Sequence, residues 1–306
     1  MRPLTTKTPF SQTLACVFAL GMFAVPGCGR PELLGPVASA RSAEEIRKVL
    51  ATSDSGASGE QVAAATGTGW ATIKGRFVFV GDPPSMPPYN VTKEPQFCTD
   101  HGTPPEQEFL VVDESNKGIR NVAVYLRAPS RVHESAQPAE GEAVFDQKEC
   151  VFLSHVFAVA VGETVDIKNS DPTGHNTNIG GKMRFNQTIP AGQSVAFKPQ
   201  KEEATPAQVT CSIHPWMLAY MLPRKDKYFA VTAPDGTFEI ANVPAGEPVE
   251  IQVWHEHSSS PNGLFVDTPE AKALKWTKQG RFKVTIPEGE TLDLGEIKVP
   301  ASAFKG

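Results

Sequence analysis

From Trp70 onward the chain gathers β-branched and aromatic residues into short apolar runs separated by polar breakers, a pattern that predicts strands rather than helices. The runs "WATIKGRFVFVG" (70–81), "EFLVVD" (108–113) and "NVAVYLR" (121–127) come first. They are followed by "VFAVAVG" (156–162), "TVDIKN" (164–169), "SVAFKP" (194–199) and "AQVTCS" (207–212). Gly, Pro, Asn or Asp stand in most of the gaps, while 83–90 and 128–143 carry no period and read as loops. Near Lys227 a second series begins: a strand, an Asp-Gly turn, a strand, a Pro-Ala-Gly turn and a strand across 228–256, then two more strands in 281–299. The expected fold class is all-β, with a Greek-key sandwich over 69–226 followed by a second, smaller sandwich over 227–306.

The first 68 residues have a different texture. Arg2 and Lys7 precede the apolar run 14–27, which is shorter than a membrane span needs and reads as an export signal over 1–28. "VPGCGR" resembles a bacterial lipobox, which makes Cys28 the lipidation site; simple cleavage after "VASA" and a retained anchor are the alternatives. Each of the three places the mature protein outside the cytoplasm; with Cys28 lipidated it is a periplasmic or membrane-anchored lipoprotein that meets the membrane only through its lipid anchor. Residues 29–68, small, polar and rich in breakers around a short helix at 42–51, read as a flexible tether. A net charge of −5 without a basic run gives no basis for nucleic-acid binding.

The "DGTFEIANVPAG" stretch and its flanking strands resemble the carboxypeptidase-regulatory-like or transthyretin-like sandwich, over roughly 70 residues of the C-terminal part. That resemblance implies a fold and no activity.

Of five cysteines, Cys16 lies in the leader and Cys28 at the lipidation site, leaving Cys98, Cys150 and Cys211. An odd thiol in an oxidising compartment needs a use. Cys211 opens "CSIHPWM" (211–217), where a thiol, an imidazole and a thioether recur every third residue. Upstream, "ETVDIKNSDPTGHNTN" (163–178) ends a strand at Asn169, turns, and reaches His175 and Asn176, 36 residues before Cys211. These two segments resemble the ligand loops of the cupredoxins, the second that of their amicyanin branch. The resemblance implies one type 1 copper with His175 and His214 as equatorial imidazoles, Cys211 as thiolate and Met217 as axial thioether. It further implies that Asn176 ties the loops together, that electrons leave by a His214 edge near the surface, and that Pro215 and Trp216 form an apolar docking rim. Gly174 and Trp216 depart from the family pattern without removing a ligand.

Zinc is the competing metal for two His and a Cys. Met221 and His155 read as strand residues, and His101 and His133 as loop residues lacking partners at ligand spacing. His255 and His257 share one strand face and read as strand-end polar residues, a surface metal being the alternative. With Cys211 given to copper by the resemblance, Cys98 and Cys150 remain as a pair. A disulfide is expected between them, two buried thiols being the alternative.

A four-ligand copper lacking a substrate position points to one-electron transfer rather than catalysis, and no nucleophilic triad, motif-spaced carboxylate pair or phosphate loop is visible. The implied partner is a transient redox protein, a dehydrogenase or a cytochrome. Two other classes stay open: a β-sandwich scaffold lipoprotein with a vestigial site, and a copper-handling protein for delivery or storage.

Overall fold

The computed structural model describes residues 65–100 and 102–305. The leader with Cys28, the helix expected at 42–51, most of the tether and His101 lie outside them. Two strands come first, β1 (Trp70–Val80) and β2 (Ala123–Leu126). Nine follow: β3 (Glu142–Lys148), β4 (Val151–Phe152), β5 (Val156–Ala160), β6 (Thr164–Asn169), β7 (His175–Ile179), β8 (Phe185–Ile189), β9 (Ser194–Phe197), β10 (Ala207–Thr210) and β11 (Leu218–Arg224). Five close the chain: β12 (Phe229–Val231), β13 (Thr237–Pro244), β14 (Pro248–Trp254), β15 (Arg281–Thr285) and β16 (Thr291–Pro300). Two short helices, α1 (Pro95–Cys98) and α2 (Pro269–Ala273), sit in connections.

Strand pairing sorts these into two sandwiches, one nested inside the other. The middle nine strands form the sheets β4-β3-β6-β9 and β5-β11-β10-β7-β8. The flanking seven form β13-β1-β16 and β12-β2-β14-β15. The all-β expectation holds, but the serial order does not. β1 is antiparallel to β13 and parallel to β16, and β2 lies between β12 and β14. Sequence proximity had placed both strands in the first sandwich; their hydrogen bonds put them in the second, with the inner sandwich inserted between β2 and β12.

Side-chain alternation shows why. Along β1 the inward positions Ala71, Ile73, Phe77 and Phe79 are buried, and they join Val124, Leu126, Ile240, Ile251, Val253 and Trp276 in the outer core. β2 is buried on both faces: Val124 and Leu126 enter that core, whereas Ala123 and Tyr125 face Val156, Leu222 and Trp254 in a smaller cluster where the sandwiches meet. β11 is two-faced in the same way, with Ala219 and Met221 in the inner core and Leu222 in the junction. Strands covered on both sides lose the polar alternation of a solvated sheet. The Asp-Gly turn falls where expected, and Gly236 has a φ of +83° with the space of its missing Cβ taken by the Phe77 carbonyl.

Two further expectations change. "EFLVVD" makes one isolated bridge, Val112 to Ile119, because Asp113 accepts the backbone N–H groups of Ser115 and Asn116 and turns the chain. The last tether residues are fastened. Arg131 donates to the carbonyls of Gly67, Gly69 and Ala245, covers the Trp70 ring, and pairs with buried Glu247, which also accepts from Thr66 N–H.

Candidate metal centre

The inner sandwich brings its ligand candidates together at one end. At the close of β6, Asn169 is fully buried and donates to the carbonyls of Thr173 and Ile189 while accepting from Asp171 N–H. This closes 170–174 into a tight turn and delivers His175 to the start of β7. Cys211 follows β10 directly, and the 211–217 loop is drawn in by a bond from Met217 N–H to the His214 carbonyl at 3.0 Å. Asn176 joins the two segments: its side-chain oxygen accepts from Ser212 N–H at 3.2 Å, and its amide donates to Asn186 at 2.8 Å.

Nδ1 of His175 lies 2.9 Å from Nδ1 of His214. Ligand atoms of these two residues and of Cys211 all fall within 4.8 Å of one another, and all three side chains are buried. The Cys211 sulfur accepts backbone N–H bonds from Asn176 at 3.3 Å and His214 at 3.4 Å. Met217 is buried in the same cluster as Cys211 and Trp216.

Both imidazoles are backed by carboxylates. His175 Nε2 sits 2.6 Å from Asp171, which also accepts from Glu149 and Cys150 N–H at 2.6 and 2.9 Å. His214 Nε2 sits 3.0 Å from Glu94, which accepts from the Thr173 hydroxyl at 2.7 Å. Sequence reasoning missed both acids. Asp171 had a local signal, standing four residues before His175, whereas Glu94 is 120 residues from its partner and had none.

Electrostatics follow from these contacts. Burial disfavours the charged form of His175, yet hydrogen bonds to Asp171 and to the Cys211 sulfur outweigh it and push the imidazole up to about 9. Burial would raise the Cys211 thiol, but His175 and the Asn176 and His214 N–H groups hold it below its ordinary value. Burial, with the charge of His175, keeps His214 below the ordinary imidazole value despite Glu94. Hydrogen bonds from Thr173 and His214 keep the Glu94 carboxyl low. The carboxylates of Asp171 and Glu94 thus face the Nε2 atoms of His175 and His214, which leaves the two Nδ1 atoms turned toward each other.

Cys98 and Cys150 are joined in a disulfide whose sulfurs lie beside the His214 ring. A bonded sulfur is no thiolate donor, so the groupings that pair these cysteines with His214, or Cys150 with Asp171 and His175, offer no equivalent site.

Two expectations about the rim are corrected. His214 has no exposed surface, because Glu94 and the connection carrying it cover the edge that was to reach solvent. Trp216 is buried, its indole N–H donating to the Cys150 carbonyl at 3.1 Å; of the expected rim only Pro215 is exposed. The other histidines among the described residues are occupied elsewhere. His155 is buried between Glu256 and Glu108, and His133 accepts from Ser135 N–H. His255 is buried against Phe304, and His257 lies against Phe109.

No family model matches the chain, and no curated protein matches it. Among solved structures it is similar to amicyanin from Paracoccus versutus (19% identity, 33% of this chain and 97% of that one, TM-score 0.25). It is also similar to a purple cupredoxin from Nitrosopumilus maritimus (18%, 28% and 100%, TM-score 0.24). A copper-containing nitrite reductase from Thermus scotoductus matches as well (20%, 30% and 25%, TM-score 0.26). Each likeness is partial and distant, so what the site can do rests on its own side chains.

Proposed function

We propose that this chain is an exported mononuclear copper protein that carries single electrons between redox partners. One observation supports the reading above the others: two imidazole Nδ1 atoms and a sulfur held by two N–H groups converge in a buried space. A soft thiolate with two imidazoles suits copper, and the thioether of Met217 adds a donor type that zinc sites rarely use. His175, Cys211 and His214 would form the plane, with Met217 on the axis.

Bound copper would supply a one-electron couple. The protein's part is to hold the donors fixed and dry. His175 is locked by Asp171, Cys211 by two amides, and the loops by Asn176. Because each donor is at most 3% exposed, the described residues leave no opening for a substrate, which favours carriage of electrons over catalysis and retention of the metal over delivery. Exposed Pro215 and Phe97 give a weak, transient partner something apolar to touch. Export, lipidation at Cys28 and a dehydrogenase or cytochrome partner complete the proposal.

The test is a visible spectrum with metal analysis on purified protein loaded with copper. An intense thiolate-to-copper band at one copper per chain, lost in Cys211→Ser, is the expected result. Tighter zinc than copper retention, or copper bound without the band, would refute it. Reversible voltammetry separates electron transfer from mere carriage.

A further inference from the structure

We propose that the outer sandwich completes this centre: Glu94, carried on the connection between its first two strands, is a positioning residue for His214, as Asp171 is for His175. The positioning belongs to the protein itself; only its consequence for a metal rests on the copper reading.

The connection between β1 and β2 belongs to the outer sandwich by its strand pairing, yet its middle is built into the inner one. Cys98, at the end of α1, is buried in the inner core and bonded to Cys150 in the β3–β4 turn. Four residues earlier, Glu94 adopts a left-handed backbone, φ 47° and ψ 46°, which a residue with a Cβ adopts only when its surroundings compel it. There its carboxylate bridges the Thr173 hydroxyl and His214 Nε2. Thr173 lies in the turn that delivers His175, so one carboxylate touches both ligand segments.

Asp171 is the matching element from within. It is buried, takes two N–H bonds from the disulfide turn, and holds His175 Nε2. A carboxylate behind an imidazole fixes which nitrogen carries the proton and strengthens the other as a donor. Here both imidazoles have such a carboxylate, and both free Nδ1 positions face the same point. A thiolate and two carboxylates put three negative charges around the space. An oxidised ion carries one more positive charge than a reduced one, so this surrounding holds the oxidised ion more tightly and lowers the potential. Glu94 also covers the Nε2 edge of His214, so the outer sandwich's connection stands between that imidazole and solvent.

Glu94→Gln, Glu94→Ala and Asp171→Asn test this. In metal-free protein, nitrogen NMR of the imidazoles should show His214 with its proton on Nε2. Glu94→Ala should mix the tautomers, while Glu94→Gln, which can still accept, should keep them. In loaded protein, Glu94→Gln and Asp171→Asn should each favour the reduced ion about tenfold, a rise of ~59 mV for one electron. Asp171→Asn should also weaken copper about 10- to 100-fold against a chelator. An unchanged tautomer in Glu94→Ala, or an unchanged potential in Glu94→Gln, would overturn the role of Glu94. Should the wild type fail to bind copper, the copper reading falls, and the metal-free spectra still decide the positioning.

Discussion

The two sandwiches are built alike and treat buried polarity in opposite ways. In the outer one buried side chains such as Glu247, Thr232 and Gln252 find partners within the protein. Glu247 meets Arg131 and Ser130, Thr232 bridges Ile119 and Val122, and the Gln252 amide donates to the Gln279 and Asn262 carbonyls. At one end of the inner sandwich the outward nitrogens of two imidazoles are matched by carboxylates, while the inward nitrogens face each other beside a lone buried thiol. A structure that only needed stability would have neutralised that end with apolar side chains. Burial alone therefore does not mark a functional site; several donors converging on one another does.

The contrast can be broken or sharpened by experiment. The largest effect should come from the staple between the outer sandwich's connection and the inner core. Cys98→Ser with Cys150→Ser opens a 52-residue separation and should cost about 4 kcal/mol in urea unfolding. A negligible cost would show that the connection docks without the bond. Next, Ile73→Ala in the outer core should cost about 3 kcal/mol and leave copper affinity of the folded protein unchanged. A matching fall in affinity would show that the centre depends on outer packing as well as on Glu94.

A third test is acidification. Burial, with the charges of His155 and His257, pushes His255 down to about 3 from 6.5. Between these values the unfolded chain takes up a proton that the folded one refuses, so stability falls as pH drops below 6.5. The loss should be on the order of 2 kcal/mol by pH 5 and absent from His255→Gln. Equal acid losses in both proteins would place the effect on other groups. Smallest, Trp216→Phe removes the bond to the Cys150 carbonyl and should cost about 1 kcal/mol without altering electron exchange with a small redox reagent. Slower exchange in that variant would return Trp216 to the docking role that its burial argues against.

Much of this was written in local pattern. The β-branched and aromatic residues of β1 and the Asp-Gly turn after β12 announced strands where strands occur. Spacing in "CSIHPWM" and the His-Asn pair after β6 singled out the three residues that converge. β7 escaped notice because "HNTNI" has little apolar content, and its burial comes from lying between β10 and β8 with Ile179 in the inner core. "EFLVVD" misled for the opposite reason: it is apolar enough for a strand, but Leu110 is buried as loop.

Sequence by itself determined the strands, the turns and the donor types, since each depends on neighbours within a few residues. Tertiary structure decided that β1 and β2 close the outer sandwich, that Glu94 reaches His214 across 120 residues, and that Trp216 points inward. Those outcomes depend on which distant surfaces exclude water together, and no short window of residues carries that information.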